Sequence, residues 1–315
     1  MSDQPLEALP AEAISTVEGI ARPVPVARER VVATDLFKRI RDNLGVIGIY
    51  AFLSVMVIFA VFPIYYVVQA SFNTTQSLIS TQLQLLPQAP GWSNYQFILQ
   101  QEPFLTWMLN SFKAVGLATL IALVCATTGA YALSRFRFTG RRFGLVGLMV
   151  LQTFPGLLAI YAYEQILSTI GLDGQLAGLA IVYAAGNIVI GVWNIKGYFD
   201  TIPIELEEAA LVDGGNSFLA FFRIILPLAA PAIAASAILM FVGGWNEFAL
   251  AKLILNPDSN NLTIPVGLQQ LQGENSTPWG YFAASAVLVS LPLMAIFLYM
   301  QRFFKAGLTI GGVKG

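Results

Sequence analysis

The chain has 315 residues, 56 % of them apolar and only 11 % charged, with a mean hydropathy of +0.68, a composition outside the range of soluble globular domains and pointing to a bilayer. The formal net charge of −1 hides a segregation of sign along the chain, so the total carries no message about nucleic acid or other anionic partners. Histidine is absent and Cys125 is the only cysteine, which excludes Ser-His-Asp and Cys-His triads, His-ligated zinc, histidine proton relays and an intrachain disulfide.

Residues 1–35 mix Ala, Pro, Val and Glu with scattered arginines and are interrupted by Pro5, Pro10, Pro23 and Pro25, which predicts a mobile tail. They lack the short apolar core of a secretory signal. From Asp35 to Asn43, Leu36, Phe37 and Ile40 recur at helical spacing among Lys38, Arg39 and Arg41. That pattern suits a short interfacial helix or the charged flank of the first span equally.

Six segments then reach the roughly 20 residues that cross about 30 Å of hydrocarbon as a helix. They are residues 44–70, 114–134, 143–163, 175–195, 226–255 and 281–300, within a permease domain of residues 36–306. Backbone groups in lipid must be satisfied within the segment, so the chain is expected to be an all-α integral membrane protein. Placing the amino terminus inside leaves only Lys113 and Lys252 of the 17 basic residues on the outer side, so both termini are expected in the cytoplasm. Trp107, Trp279 and Tyr281 at outer ends and Trp193 at an inner end read as interfacial anchors, and Cys125 reads as a small buried hydrophobe.

No G-x-x-x-x-G-K-[ST] loop occurs, so nucleotide must be handled by another chain. No nucleophile, base or metal cluster stands out, and no catalytic or metal-binding residue is assigned. The long inner connection 203–225 is predicted to be helix, turn, helix: Pro203 and acidic Glu205, Glu207 and Glu208 favour a helix start, and Gly214-Gly215 its end. Asn216 can cap a second helix through Phe218, Phe221, Phe222 and Ile225, with Pro227 at the entry to the fifth span. Ala209 and Ala210 form a patch of little bulk beside the anion of Glu208.

The run Glu208-Ala209-Ala210, with Gly214 four residues on and Ile224-x-Leu226-Pro227 after nine more, resembles the E-A-A-x3-G-x9-I-x-L-P signature of permease subunits in binding-protein-dependent ABC importers. From about residue 40 onward the chain is similar to the smaller permeases of maltose and maltodextrin importers, including Ile195–Ile202, Trp279–Ser285 and the terminal Gly307–Gly315. The resemblance implies a type I ABC importer permease in a bacterial inner membrane. It also implies a heterodimeric pore with a second permease, an ATPase dimer that binds ATP and magnesium, and an extracytoplasmic sugar-binding protein. Glu208, Ala209, Ala210, Asp213, Gly214, Ile224, Leu226 and Pro227 would form the ATPase-coupling element. Gly311, Gly312, Val313, Lys314 and Gly315, in a cytoplasmic tail of residues 307–315, would reach between the ATPases. Gln270, Gln272, Asn275, Thr277 and Pro278 would belong to an outer loop that probes the binding protein.

Trp245, Asn246 and Glu247 lie in the fifth span, where an ionisable group suggests a gate or lumen, although Glu247 is close enough to the outer end to snorkel beside Lys252. An ion-coupled secondary transporter is the alternative, and it would need buried relays and an internal repeat that the sequence does not offer.

Overall fold

The computed structural model describes residues 27–75, 85–153, 156–255, 259–272 and 277–311, and within these the side chains of 27–42, 44, 157, 259 and 304–311 are not described. Most of the expected amino-terminal tail, Asn275 and Gly312 to Gly315 therefore lie outside the described residues. Met1–Pro63 and Ile64–Gly315 form two separate units.

The first unit contains most of α1 (Ala27–Ser71), which has Pro63 inside it. Helix already begins at Ala27 and takes in Asp35–Asn43 without a break. From Gly45 to Phe62 its side chains are exposed on every face, with Ile58 and Phe59 the most so. A helix apolar all round needs lipid or another chain around it.

In the second unit the regular structure among the described residues is helical, and one isolated bridge joins Asn73 and Pro90. Its elements are α2 (Ser93–Gln100), α3 (Phe104–Arg135), α4 (Arg141–Thr153), α5 (Ile160–Thr169) and α6 (Leu176–Phe199), followed by α7 (Glu205–Val212) and α8 (Ser217–Ala220). After a π-helical turn at Phe221–Ile225 come α9 (Leu226–Leu228), α10 (Ala230–Trp245), α11 (Ala249–Ile254), α12 (Ile264–Gln270) and α13 (Trp279–Gly311).

The core is built on α3 and α6. Ala114, Ala118, Ala122, Ala126 and Ala130 are all buried, and their four-residue spacing puts them on one stripe of α3. Small residues at that spacing let helices approach closely in a bilayer, where dispersion between backbones replaces the hydrophobic effect. Gly191 of α6 meets this stripe. A Cβ there would lie 2.8 Å from that of Ala126 and 2.2 Å from Met240 Cε on α10, so three helices close on a point that admits no side chain. Cys125, one position off the stripe, is exposed and not buried as expected.

Among the described residues four helical segments are long and apolar enough to cross a membrane: Gly45–Ser71, Phe104–Arg135, Leu176–Phe199 and Trp279–Phe303. Ser217–Leu228 with Ala230–Trp245, bent by 72°, makes a fifth if the pair is one span. Pro231 accounts for that bend, because it has no N–H for the Pro227 carbonyl and its ring crowds the same oxygen. The stretch 143–163 is not a single helix: α4 ends at Thr153, a 3-10 turn covers Gly156–Ala159, and α5 begins at Ile160. Pro155 between them lacks the amide a continuous helix would use. The stretch 226–255 likewise breaks between Trp245 and Ala249. At the other end α13 continues to Gly311, so Gly307–Gly311 are helical.

Candidate functional site

The segment between α6 and α10 is shaped by its own residues. Pro203 stands just ahead of α7, its carbonyl accepting the Leu206 amide at 3.4 Å, and Glu205, Glu207 and Glu208 occupy the first turn, where the helix dipole favours anions. The helix ends in a Schellman motif: Gly214 N–H donates to the Leu211 carbonyl at 3.1 Å and Gly215 N–H to the Ala210 carbonyl at 2.9 Å. Gly214 has φ +86°, a left-handed conformation that disfavours side chains, and a Cβ on Gly215 would sit 2.7 Å from the Ala210 oxygen. Asn216 caps α8 as its sequence suggests, with Oδ1 accepting the Leu219 amide at 2.8 Å.

The π turn follows from Pro227, which cannot donate to the Arg223 carbonyl. The ladder instead widens, and the Leu226 amide donates to the Phe221 carbonyl. Ile225 is fully buried, and its neighbours Ile224 and Leu226 are half-buried. Glu208, Ala209, Leu211, Val212 and Asp213 are exposed, Val212 at 86 %, whereas Ala210 is half-buried. α7 thus offers carboxylates and short apolar side chains to whatever lies opposite.

Its buried face is held by Glu207, which the sequence marks only as one of the acids that open α7 and for which it names no partner. Glu207 is buried, and its Oε1 pairs with Nε of Arg135, the last residue of α3. Tyr131 OH donates to Glu207 Oε2 at 2.9 Å, and Arg135 Nη2 donates to the Ile202 carbonyl at 3.0 Å. Both carboxylate oxygens are satisfied, and loss of either charged partner would leave the other buried and uncompensated. Beside it, Ser134 Oγ donates to Asp200 Oδ1 and Lys196 Nζ to Asp200 Oδ2, each at 2.6 Å. Partial burial works against the Asp200 charge. The hydrogen bonds from Lys196 and Ser134 and the charges of Lys196 and Arg141 outweigh it, and hold the carboxyl below its usual range.

At the opposite end of α3 lies the segment that leads to the candidate outer loop. Asn110 Nδ2 donates to the carbonyls of Asn260 (2.8 Å) and Leu262 (3.0 Å), and Ser111 Oγ accepts the Ile264 amide at 2.9 Å. Gly267 of α12 lies on the ring of Trp107, where a Cβ would fall 2.2 to 2.6 Å from ring atoms. Trp107 is therefore buried and is no interfacial anchor. Trp279 is exposed, and Tyr281 stacks on Phe97 at 4.0 Å between centroids. Gln270 and Gln272 are exposed, Thr277 is half-buried, and the Pro278 carbonyl receives the Tyr281 amide at 3.0 Å in the first turn of α13.

Trp245 ends α10, and Asn246 and Glu247 lie in the break before α11. Trp245 is buried against Phe112 and Phe241, and Asn246 Nδ2 donates back to the Val242 carbonyl. Glu247 accepts from Tyr183 OH at 2.6 Å and from the amides of Leu250 and Ala251, so it starts α11 and ties it to α6.

Residues 36–310 match the model of a family described as the binding-protein-dependent transport system inner membrane component. The chain belongs to that family. It is 39 % identical over 284 residues to the maltose/maltodextrin transport system permease protein MalG of Vibrio vulnificus, covering 85 % of this chain and 94 % of that protein. It is 36 % identical over 283 residues to the galactooligosaccharides transport system permease protein GanQ of Bacillus subtilis, covering 88 % and 98 %. Its fold is similar to a chain of a bacterial ABC transporter involved in the import of the acidic polysaccharide alginate, with a TM-score of 0.69, 24 % identity, and coverage of 84 % and 98 %. As a member of this family the chain is an inner membrane component of a binding-protein-dependent ABC importer.

Proposed function

We propose that this chain is one of two permease subunits of an ATP-driven importer for a neutral oligosaccharide of the maltose or maltodextrin type, and that α7 transmits the work of a separate ATPase dimer. The observation that carries the reading is the build of α7. Glu208, Ala209 and Val212 face outward on a helix whose end is fixed by Gly214 and Gly215 and whose back is fixed by Glu207 on Arg135. A rigid, small, acidic knob suits a cleft in another protein, and ATP-driven closure of two such clefts would tilt the spans they hold. The substrate class rests on the two sugar permeases to which the chain is similar.

In this reading Arg135, Arg141, Arg142 and Lys196 lie on the cytoplasmic side with both termini, since a basic excess marks that side. The ATPase subunits bind ATP and magnesium, and this chain performs no catalysis. The second permease covers apolar faces such as that of α1, and the sugar-loaded binding protein meets the loop of Gln270, Gln272, Asn275, Thr277 and Pro278. The terminal Gly311 to Gly315 reaches the ATPases, and the break at Trp245, Asn246 and Glu247 lines the path as a gate.

A single cysteine in place of Val212, in a Cys125→Ser background, tests the central contact. In membranes containing all subunits, α7 is expected to cross-link to the ATPase, and Glu208→Arg to abolish the product. Insertion of the chain without any ATPase cross-link would contradict the docking role.

A further inference from the structure

The two clamps on α3 have a joint consequence. α3 is an uninterrupted helix of 32 residues, about 48 Å long at 1.5 Å per residue, and its sequence contains no proline. Its alanine stripe packs it along its middle against the core. At one end Asn110, Ser111 and Trp107 grip the chain from Asn260 to Gly267. At the other, Tyr131 and Arg135 grip Glu207 of α7, while Arg135 also holds the Ile202 carbonyl and Ser134 holds Asp200. Neither grip resembles a sliding apolar contact. Each uses directed hydrogen bonds from buried or partly buried side chains, which are lost as a unit if the partners shift by an ångström or two.

We propose that α3 is a strut: the segment 260–267, which leads into the loop expected to meet the binding protein, and the coupling helix α7 sense one another through it. Arg135, Tyr131 and Asn110 are then positioning residues for transport, although none belongs to the docking face of α7 or to the outer loop. This rests on the docking role of α7 given above. A strut passes free energy only if both ends bias its position, and the coupling is then reciprocal. The outer grip must matter to events at α7, and the inner grip to the response to the binding protein.

The complex of this chain with its partner permease and ATPase, in proteoliposomes, separates the two claims. Three quantities are read: ATPase retained on purification, basal ATP hydrolysis, and the ratio of hydrolysis with and without binding protein loaded with maltotriose. Asn110→Ala and Tyr131→Phe are each expected to retain the ATPase and a basal rate within about twofold of wild type, while the stimulation ratio falls at least about fivefold in Asn110→Ala and by less in Tyr131→Phe, which removes one hydrogen bond from Glu207 and leaves the ion pair. The double variant is expected to be no worse than the weaker single variant, because both interrupt one strut. Full stimulation in Asn110→Ala or in Tyr131→Phe overturns the strut, as do losses that multiply in the double variant. Wild type that never retains an ATPase overturns the docking role, and the strut with it.

Discussion

Tyr183 on α6 donates its hydroxyl to Glu247 Oε2 at 2.6 Å, across the break that separates α10 from α11. The same carboxylate receives the amides of Leu250 at 2.8 Å and Ala251 at 3.1 Å, so one side chain both starts a helix and ties it to its neighbour. Tyr183→Phe leaves the acceptor short of a partner in a half-buried site, where such a loss costs about 1–3 kcal/mol. The thermal midpoint of the purified complex should fall, and Glu247→Leu, which loses all three bonds, should lower it further. Equal midpoints for wild type and Tyr183→Phe would show that the tie carries no stability.

Backbone geometry at the end of α7 separates two adjacent glycines. Gly214 needs a positive φ, which Asn tolerates and β-branched residues do not, whereas Gly215 needs the absence of a Cβ against the Ala210 carbonyl. Gly214→Asn should therefore retain most binding-protein-stimulated ATP hydrolysis, and Gly214→Val and Gly215→Val should lose it. A Gly214→Val complex with full stimulation would show that the Schellman ending is dispensable.

The Asp200 carboxyl titrates below its unfolded value, so its ties to Ser134 and Lys196 stabilise the folded chain at neutral pH. That stability is complete above the unfolded value of about 3.9 and is lost as the pH falls through the lower, folded one. Asp200 is partly exposed, so the effect is discounted for solvent screening. Thermal midpoints measured from neutral pH into the acid range should converge for wild type and Asp200→Asn at the acid end, with wild type higher near neutrality. Parallel curves would contradict the assignment.

Gly267 and Trp107 make the tightest contact where α12 meets α3. Gly267→Ala drives a Cβ into the ring, and overpacking of this kind costs about 1–3 kcal/mol. Trp107→Phe in the same chain frees space and should restore part of the lost thermal midpoint. If Gly267→Ala alone melts like wild type, α12 is not seated on the ring.

The loop carrying Glu208, Ala209, Ala210 and Gly214 was legible because every feature is local: acidic residues open a helix, two glycines close it, and Asn216 opens the next. The partner of Glu207 was not, since nothing in a sequence ties a glutamate to an arginine at the far end of another helix, and Arg135 served only as a marker of sidedness. Trp107 misled for a related reason. An indole near a span end reads as an anchor until a distant glycine offers it a slot. The alanine stripe of α3 was open to reading at four-residue spacing, and its buried face is what leaves Cys125 on the outside. Hydropathy also merged α4 with α5, since apolar character persists where the hydrogen-bond ladder stops, and it passed over Pro231, whose missing amide turns the chain into α10.

Uptake of labelled maltotriose into proteoliposomes, with ATP enclosed and loaded binding protein outside, tests the central claim most directly when run on wild type and on Glu208→Arg with Gly214→Asp. Wild type is expected to accumulate sugar only when both ATP and binding protein are present, and the double variant is expected to fall to the protein-free background. Uptake without ATP, driven by an ion gradient and unchanged in the double variant, would contradict it and make this chain an ion-coupled carrier.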